Sequence, residues 1–399
     1  MVYDFDTIID RSSTGSAKWS LREKTPGMEE VLPLWIADMD FACPPEVVEE
    51  IGKRAAHPIY GYTISTDEYY NSLIRWMDKR HRWRGIQRDW ISFSPGVVPG
   101  VCFAIEAYSH PGDKVIVQPP VYNLFTIATV ANGRQIVENP LKIEDGNYMM
   151  DYNDLEKKID KRTKMIILCS PHNPVGRVWK REEIEKLVEI CERKDIIIVS
   201  DEIFMDLILG ETDHTCVASL SEDTLQRTVT LLAPSKTFNL SGLANSSVII
   251  PNKVLSDEFQ NVVESHGLAV SGIFGNVFGK VAQEAAYLKG EAWLDELLVY
   301  LRENFKFLDD FIRTRIPLLK VYPLEGTYCA WIDCASLSMN NAALREFFLK
   351  KAKLWLDEGA WFGSGGSGFV RMNIACPRSI LREALERLER AVHELPKIS

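Results

Sequence analysis

The sequence predicts an α/β fold for the middle of the chain and a separate α+β unit for its C-terminal third. Short β-branched runs alternate with amphipathic stretches between residues 114 and 250, an order typical of a sheet with crossover helices. After residue 290, strand and helix patterns follow one another without this alternation. We therefore expect a large domain over residues 46–289 and a smaller one from residue 290 onward. The pattern alone does not say where the first 45 residues pack.

Five strand candidates share nearly continuous apolar residues, which is typical of strands buried on both faces of a parallel sheet. In chain order they are residues 114–118, 164–169, 196–200, 228–232 and 247–250. Between the second and the third, apolar residues recur at helical spacing and predict a helix with one buried face. These residues are Ile184, Leu187, Val188 and Cys191.

The C-terminal third contains two further strand candidates. One is FVRMNIA at residues 369–375, and the other holds Tyr322, Trp331 and Ile332 beside a turn at residues 324–327. A strongly amphipathic closing helix follows, with its apolar positions at Leu381, Ala384, Leu385, Leu388, Val392 and Leu395.

A glycine-rich segment at residues 363–368 fits the dinucleotide pattern G-x-G-x-x-G. That motif needs a strand before it and a helix after it, so that the pyrophosphate meets a helix N-terminus. Here a predicted helix, residues 343–358, precedes it and a predicted strand follows. We therefore expect a loop and no dinucleotide site.

Composition and charge narrow the class of protein. The 399 residues include 46 Lys and Arg against 56 Asp and Glu, a formal net charge of −10, which argues against nonspecific nucleic-acid binding. No apolar stretch reaches the roughly 18 residues that a membrane span needs, and the N-terminus is too acidic and polar for a signal peptide. We expect a soluble cytoplasmic protein with no nucleic-acid or membrane partner.

The eight cysteines and seven histidines are scattered along the chain. No C-x-x-C pair or H-E-x-x-H motif occurs, whereas structural zinc sites usually need ligands clustered at short spacings. We expect buried free thiols and no metal site.

Three polar residues each follow the end of a predicted parallel strand. They are Asn173, Asp201 and Lys236. Ligands of open α/β sheets bind outside the carboxyl ends of the strands, so these side chains could converge on one site. Each has an ordinary alternative, since Asn-Pro is common in turns, an acid after a strand often caps a helix, and a loop lysine is usually solvated.

Taken together, the three residues and their spacing resemble the fold-type I enzymes that use pyridoxal phosphate (PLP), the aspartate aminotransferase superfamily. Within it, the chain is similar to the cystathionine β-lyase and cystalysin-like branch from residue 1 to about 395. The matching segments are YDF at 3–5, ADMDF at 37–41, GYT at 61–63, GVVP at 96–99 and SPHNPVGRVW at 170–179.

The resemblance implies an architecture. A large PLP-binding domain, residues 46–289, would hold a mainly parallel seven-stranded sheet. The first 45 residues would join residues 290–399 in a small α+β domain. The enzyme would be a homodimer with shared active sites, in which Tyr62 reaches the cofactor phosphate of the neighbouring subunit.

The resemblance also implies roles for the site residues. Lys236 would bond covalently to PLP and later remove the substrate Cα proton, and Asp201 would keep the pyridine nitrogen protonated. Tyr122 would stack on the ring. Arg371 would clamp the substrate α-carboxylate, because its planar fork suits that group. The remaining implied contacts are Asn173 on the ring O3′ and the substrate, Gly96, Val97, Val98 and Ser235 on the phosphate, and Ala37 on the substrate.

Two positions depart from the pattern of the branch. Phe204 stands where many relatives have a tyrosine or histidine that hydrogen-bonds near O3′. Asn123 stands where cystalysin-like enzymes have a second tyrosine. The first departure puts cofactor tuning in doubt, and the second puts substrate preference in doubt.

The resemblance favours a carbon–sulfur β-lyase that cleaves L-cysteine conjugates such as cystathionine to a thiol, pyruvate and ammonia. An aminotransferase is the alternative, because it uses the same residues up to the loss of the Cα proton. A regulatory PLP protein is a third reading, since a member of this branch binds a transcription activator.

Overall fold

The computed structural model describes residues 2–270 and 273–396, and its largest element is a seven-stranded sheet. The strands in the described residues are β1 (Leu32–Pro33), β2 (Ile91–Ser94), β3 (Lys114–Val117), β4 (Gln135–Glu138), β5 (Lys142–Glu144), β6 (Asn147–Met149), β7 (Thr163–Cys169), β8 (Ile197–Asp201), β9 (Thr228–Leu232), β10 (Ser246–Ile249), β11 (Ala269–Val270), β12 (Ile273–Phe274), β13 (Lys320–Val321), β14 (Cys329–Asp333), β15 (Leu354–Trp355), β16 (Asp357–Glu358) and β17 (Phe369–Asn373).

The α-helices in the same residues lie between these strands, and some of them cover the two faces of the large sheet. They are α1 (Ala17–Lys24), α2 (Pro45–Ala55), α3 (Asp67–His81), α4 (Val97–Tyr108), α5 (Leu124–Ala131), α6 (Tyr152–Lys158), α7 (Arg181–Lys194), α8 (Glu222–Arg227), α9 (Pro234–Thr237), α10 (Lys253–Ser265), α11 (Val277–Lys289), α12 (Glu291–Arg315), α13 (Asn341–Glu346) and α14 (Arg378–His393).

The large sheet has the strand order β2-β10-β9-β8-β7-β3-β4. Its strands are parallel except β10, which runs antiparallel to both β2 and β9. The predicted α/β fold with a mainly parallel seven-stranded sheet is therefore confirmed. For residues 247–250 a strand is present as predicted, but it runs antiparallel and not parallel to its neighbours. An apolar run indicates that a strand is buried and does not indicate its direction.

Two strands of the sheet, β2 and β4, are not predicted by the sequence pattern, for different reasons. Strand β2 alternates apolar and polar residues, and Ser92 and Ser94 break the apolar run. Strand β4 lies at an edge of the sheet and is partly exposed along its length. Neither has the continuous apolar pattern that marks a strand buried on both faces.

Both faces of the sheet are buried, as expected for parallel strands. Helices α4, α5 and α10 pack on one face, where Val101, Phe125 and Phe259 join the sheet residues in one apolar cluster. Helix α7 covers the other face and confirms the predicted helix, since the four residues of its predicted stripe are all buried.

The C-terminal elements form a four-stranded antiparallel sheet with the order β13-β14-β17-β16, which α14 follows. The strand predicted at residues 369–375 and the closing helix are both present as β17 and α14. The candidate around Tyr322 is a hairpin of β13 and β14, closed by a hydrogen bond from the Tyr322 amide to the Trp331 carbonyl at 3.0 Å. Residues 363–368 form the predicted loop.

The helix predicted for residues 343–358 is wrong beyond Lys351. Helix α13 continues into one π-helical turn, and Lys353 then adopts a positive φ of 54°, which ends the helix. The following residues form β15 and β16, and Leu354 and Leu356 are buried with the alternation of a strand.

The first 45 residues contact the C-terminal elements. Strand β1 pairs in parallel with β15, and the Asp40 amide donates to the Ala375 carbonyl at 2.9 Å. Tyr300 of α12 donates to the Asp6 carboxylate at 2.6 Å. The division into domains at residues 45/46 and 289/290 stays a prediction.

Among the described residues, the helices are all too short or too polar to cross a membrane. The cytoplasmic location stays a prediction.

Candidate active site

A cavity of about 820 Å³ opens at the carboxyl ends of β7, β8 and β9. Ten of the eleven site residues predicted from the sequence line it, namely Ala37, Gly96, Val97, Val98, Tyr122, Asn173, Asp201, Ser235, Lys236 and Arg371. Tyr62 lies outside this cavity and is 96% exposed. The three strand ends thus converge as the sheet geometry predicts.

Lys236 lies in the short helix α9, directly after β9. Its Nζ donates to the Ala37 carbonyl at 2.6 Å, and the Tyr328 hydroxyl donates to the same carbonyl at 2.9 Å. Burial lowers the pKa of Lys236. A lysine with a lowered pKa spends more of its time as the neutral amine, which is the nucleophilic form.

Asp201 is the last residue of β8, between Cys169 of β7 and Leu231 of β9. One carboxylate oxygen accepts from the Ile203 amide at 3.1 Å. Burial raises the pKa of Asp201 to about 7, although the Ile203 amide and Lys236 favour the ionised form. A cationic group bound in the cavity would relieve this cost of burying the charge.

The raised pKa of Asp201 predicts a pH-dependent stability for the ligand-free protein. An unfolded aspartate ionises near pH 4, so between about pH 4 and 7 only the folded chain keeps this proton, and rising pH favours unfolding. Relative to Asp201→Asn, the wild type should lose up to about 4 kcal/mol of unfolding free energy across that interval and no more above it. Urea unfolding at pH 5 and pH 8 measures the part of this loss that falls above pH 5, about 3 kcal/mol.

The matched control is Asp213→Asn, because the Asp213 side chain is 88% exposed. It should leave the difference between the two pH values unchanged. An equal pH dependence in the wild type and in Asp201→Asn would contradict the assigned cause.

Asn173 and Tyr122 are joined through their backbones, because the Tyr122 amide donates to the Asn173 carbonyl at 3.1 Å. Asn173 Oδ1 accepts from Arg371 at 2.8 Å, which leaves the amide nitrogen as the donor end of this side chain. The Tyr122 ring meets Phe125 and Trp361 edge-on, with ring centroids 5.8 and 6.0 Å apart.

Arg371 projects into the cavity from β17 with its side chain only 4% exposed. Its Nη1 donates to Asn173, as described above. Its Nη2 donates to the Trp35 carbonyl at 3.0 Å and to the carboxylate of Asp357. Its Nε is buried without a partner among the described residues. The Arg371 guanidinium lines the cavity and is the group there whose planar fork suits a ligand carboxylate.

The N-terminus of helix α4 forms another part of the wall, with Gly96, Val97 and Val98 at its first turn. The Ser94 hydroxyl fixes the entry to the helix by donating to the Gly96 carbonyl at 2.6 Å. Unpaired backbone amides at a helix N-terminus favour anions, and the Ser235 side chain lines the same cavity.

Four further residues line the cavity without being predicted from the sequence, and they are Asp357, Trp35, Trp355 and Trp361. Residues 355 and 357 fell within the helix predicted for 343–358, which hid their place on strands that face the site. The alternation of Leu354 and Leu356 was the signal that could have found them.

The two departures from the family pattern differ in position. Phe204 is buried in the cavity wall and packs edge-on against Tyr328 with ring centroids 5.6 Å apart. Asn123 precedes α5 and is not among the described lining residues. A phenyl ring at position 204 offers no hydrogen bond to a ligand.

One buried group of potential metal ligands occurs in the described residues, formed by Glu202, His214 and Cys216. The Glu202 carboxylate already accepts from the Ser200 hydroxyl, the Val217 amide and His214 at 2.8 to 3.1 Å. This network satisfies the carboxylate, so we assign no metal to it. All eight cysteines are free, but Cys43 and Cys102 are only half-buried, which corrects the prediction that they are buried.

The cavity residues fit PLP. Asp201 would offer a buried carboxylate to the pyridine nitrogen, Lys236 an amine to the aldehyde carbon, and Asn173 an amide donor to O3′. The first turn of α4 would offer backbone amides to the phosphate. Arg371 would be left for the substrate carboxylate.

Known proteins resemble this chain along nearly its whole length. The family model for aminotransferase class I and II matches residues 29–388. Cystathionine beta-lyase PatB of Bacillus subtilis is 40% identical over 98% of this chain and 100% of its own length. The PLP-containing crystal structure of cystalysin from Treponema denticola is 41% identical with a TM-score of 0.95, over 99% of this chain and 100% of that one. The PLP-bound C-S lyase of Staphylococcus hominis is 32% identical with a TM-score of 0.90, over 99% of both chains.

Proposed function

Because the chain belongs to the aminotransferase class I and II family, we propose that it is a PLP-dependent carbon–sulfur β-lyase. The resemblance found in the sequence is thereby confirmed at the level of the family. The observation that supports PLP chemistry is the convergence of Lys236, Asp201 and Arg371 on one cavity, and the choice of a lyase rests on the similar proteins. The substrates would be L-cysteine S-conjugates such as cystathionine.

The relatives favour a lyase over an aminotransferase. Among the proteins that match this chain end to end, cystathionine beta-lyase PatB is 40% identical, cystalysin 41% and a C-S lyase 32%. A putative aminotransferase from Clostridium difficile is also 41% identical, so the alternative activity has a relative of equal similarity. The cavity residues alone do not discriminate, because both reactions begin with loss of the same Cα proton.

The side chains of this protein account for the steps that a lyase needs. Bound PLP supplies a ring that withdraws electrons from the substrate Cα. Arg371 binds the α-carboxylate, and Asp201 holds a positive charge on the ring nitrogen. The neutral amine of Lys236 removes the Cα proton.

In the overall reaction, the Cβ–S bond breaks and its electron pair goes to sulfur. Sulfur leaves as a thiol after it takes up a proton. Water then enters, and the remaining three-carbon fragment becomes pyruvate and ammonia.

In the test, the protein loaded with PLP, which is yellow, is incubated with L-cystathionine. Pyruvate, free thiol and other keto-acid products are then assayed side by side. We expect pyruvate and thiol in equal amounts. A requirement for an added keto acid as amino acceptor, with no thiol released, would instead identify an aminotransferase.

We also propose a homodimer whose active sites are shared. The segment 59–64 contains four large apolar side chains that are 55% to 96% exposed. They are Ile59, Tyr60, Tyr62 and Ile64. A second copy of the chain would cover them, since such contiguous apolar surface usually marks an interface. Tyr62 would then reach the PLP phosphate of the neighbouring subunit.

Mixing two inactive variants tests this shared site. Lys236→Ala and Tyr62→Ala subunits are combined after reversible dissociation and assayed at limiting PLP. A mixed dimer has one site with both lesions and one with neither, and random pairing makes half of the dimers mixed. Roughly a quarter of wild-type activity should therefore return.

If Tyr62 acted within its own subunit, the mixed dimer would contain no intact site. Activity that stays at the average of the two separate variants would reject the shared site.

A further inference from the structure

The charged side chains that line the cavity fall into two groups, those assigned to the cofactor and those left for the substrate. Among the lining residues that the structure describes, the charged ones are Asp201, Lys236, Asp357, Glu358 and Arg371. The proposed function assigns Lys236 and Asp201 to the cofactor. One cation, Arg371, and two carboxylates therefore remain for the substrate.

Asp357 is the carboxylate that contacts the substrate-binding arginine. On neighbouring strands β16 and β17, Asp357 lies directly opposite Arg371 and accepts a hydrogen bond from its Nη2. The Asp357 side chain is only 16% exposed, so solvent and salt screen its charge weakly. Asp357 and Arg371 together carry no net charge, so a substrate carboxylate bound to Arg371 already makes this part of the cavity negative. A further carboxylate nearby would meet the charge of Asp357 without compensation.

Glu358 carries the same charge but has a different environment. Glu358 also borders the cavity, but its side chain is 42% exposed. It forms an ion pair with Arg345 at 3.3 Å. Its charge is therefore compensated and screened, which makes Glu358 the natural control for Asp357.

The wall beside this charge is aromatic. Trp35 and Trp355 stack with ring centroids 4.8 Å apart and planes at 13°, and Trp361 lies next to Tyr122. Each of these residues lines the cavity. Such rings offer a large apolar surface to an uncharged group.

We infer that Asp357 is a specificity-determining residue that restricts the site to cysteine S-conjugates whose leaving thiol carries no net negative charge. Alkyl and aryl thiols contact the tryptophans, and the homocysteine released from cystathionine is a neutral zwitterion. An anionic thiol is repelled by Asp357, and the described lining contains no arginine or lysine beyond Arg371 and Lys236 to offset this. The inference rests on the proposed function and leaves its reaction unchanged.

Two conjugates of equal size isolate the charge. S-(2-carboxyethyl)-L-cysteine and S-(2-carbamoylethyl)-L-cysteine differ in one carboxylate against one amide. In the wild type, kcat/KM should favour the carbamoyl conjugate about tenfold or more, because like charges in a shielded site repel strongly. Asp357→Asn should reduce this ratio about tenfold, whereas Glu358→Gln should change it by less than about twofold.

The ratio distinguishes specificity from a merely structural role, since a loosened Arg371 would raise KM for both conjugates alike. PLP content and thermal unfolding confirm that each variant is intact, and Asp357→Ser serves if the asparagine variant does not fold. Equal cleavage of both conjugates by the wild type, or equal effects of the substitutions at positions 357 and 358, would overturn the inference while the lyase function stands.

Failure of the proposed function has a separate outcome. If the wild type cleaves neither conjugate nor cystathionine, the lyase proposal is wrong. Binding of L-asparagine and L-aspartate, measured by tryptophan fluorescence, then decides the role of Asp357. A preference for asparagine that Asp357→Asn removes supports the role of Asp357, and equal affinities in the wild type overturn it.

Discussion

Replacing Lys236 with alanine is expected to abolish covalent attachment of PLP and to reduce lyase turnover about a thousandfold or more. The substitution removes the amine that lies at the end of β9 with a lowered pKa. Two functions disappear with it, the bond to the cofactor and the transfer of the Cα proton, and loss of general base catalysis alone typically costs a hundredfold or more.

The measurement combines kinetics with chemical mapping. Borohydride reduction of the yellow protein followed by peptide mapping should tag Lys236. Lys280 offers a sharp comparison, because burial lowers its pKa to about 8 while its Nζ donates to the Thr63 carbonyl at 2.6 Å. A tag on Lys280 would overturn the assignment of Lys236.

A lysine far from the cavity controls for nonspecific effects. Lys253 is 79% exposed and paired with Asp257 on the surface of α10. Lys253→Ala should keep the bound cofactor and full turnover. Loss of activity in this variant would mean that the assay reports stability rather than chemistry.

The sequence was sufficient for the parts of the fold where burial dictates the residue pattern. Strand β9 was predicted with its observed bounds, and β3, β7 and β8 to within one residue at each end, because buried parallel strands require continuous apolar runs. Short edge strands such as β4 have no such requirement, so their residues follow no clear pattern.

The site residues that follow buried strands are likewise predictable from the sequence, and the others are not. Asn173, Asp201 and Lys236 were recognisable because each follows a buried strand, and the topology of the sheet brings strand ends together. Asp357 was not, because its position depends on a helix that ends at Lys351, just before the positive φ of Lys353. Tertiary contacts determine where this helix ends, and the periodicity of apolar residues along the chain contains no information about them.

The pairing of Asp357 with Arg371 could not be predicted from sequence distance either. Register between β16 and β17 brings the two side chains together, and this register follows from the packing of the small C-terminal sheet. The charge that we infer to select the substrate therefore becomes visible only in three dimensions.

Replacing Asp201 is expected to have the second-largest effect on turnover. Asp201→Asn keeps the volume of the side chain but removes the negative charge opposite the ring nitrogen. Without that charge the nitrogen loses its proton, and the ring withdraws electrons from the substrate less strongly. Loss of one preorganised electrostatic partner commonly costs about a hundredfold or more in kcat.

The effect should fall on kcat, because Lys236 still holds the cofactor and Arg371 still binds the substrate. We therefore expect Asp201→Asn to bind PLP covalently, to show a KM within a few fold of the wild type, and to turn over cystathionine about a hundredfold more slowly. Asp201→Glu retains the charge and should recover part of the rate, which a purely structural role would not explain. Normal turnover by Asp201→Asn would show that the cofactor nitrogen does not face this carboxylate, and the orientation of PLP in the cavity would have to be reassigned.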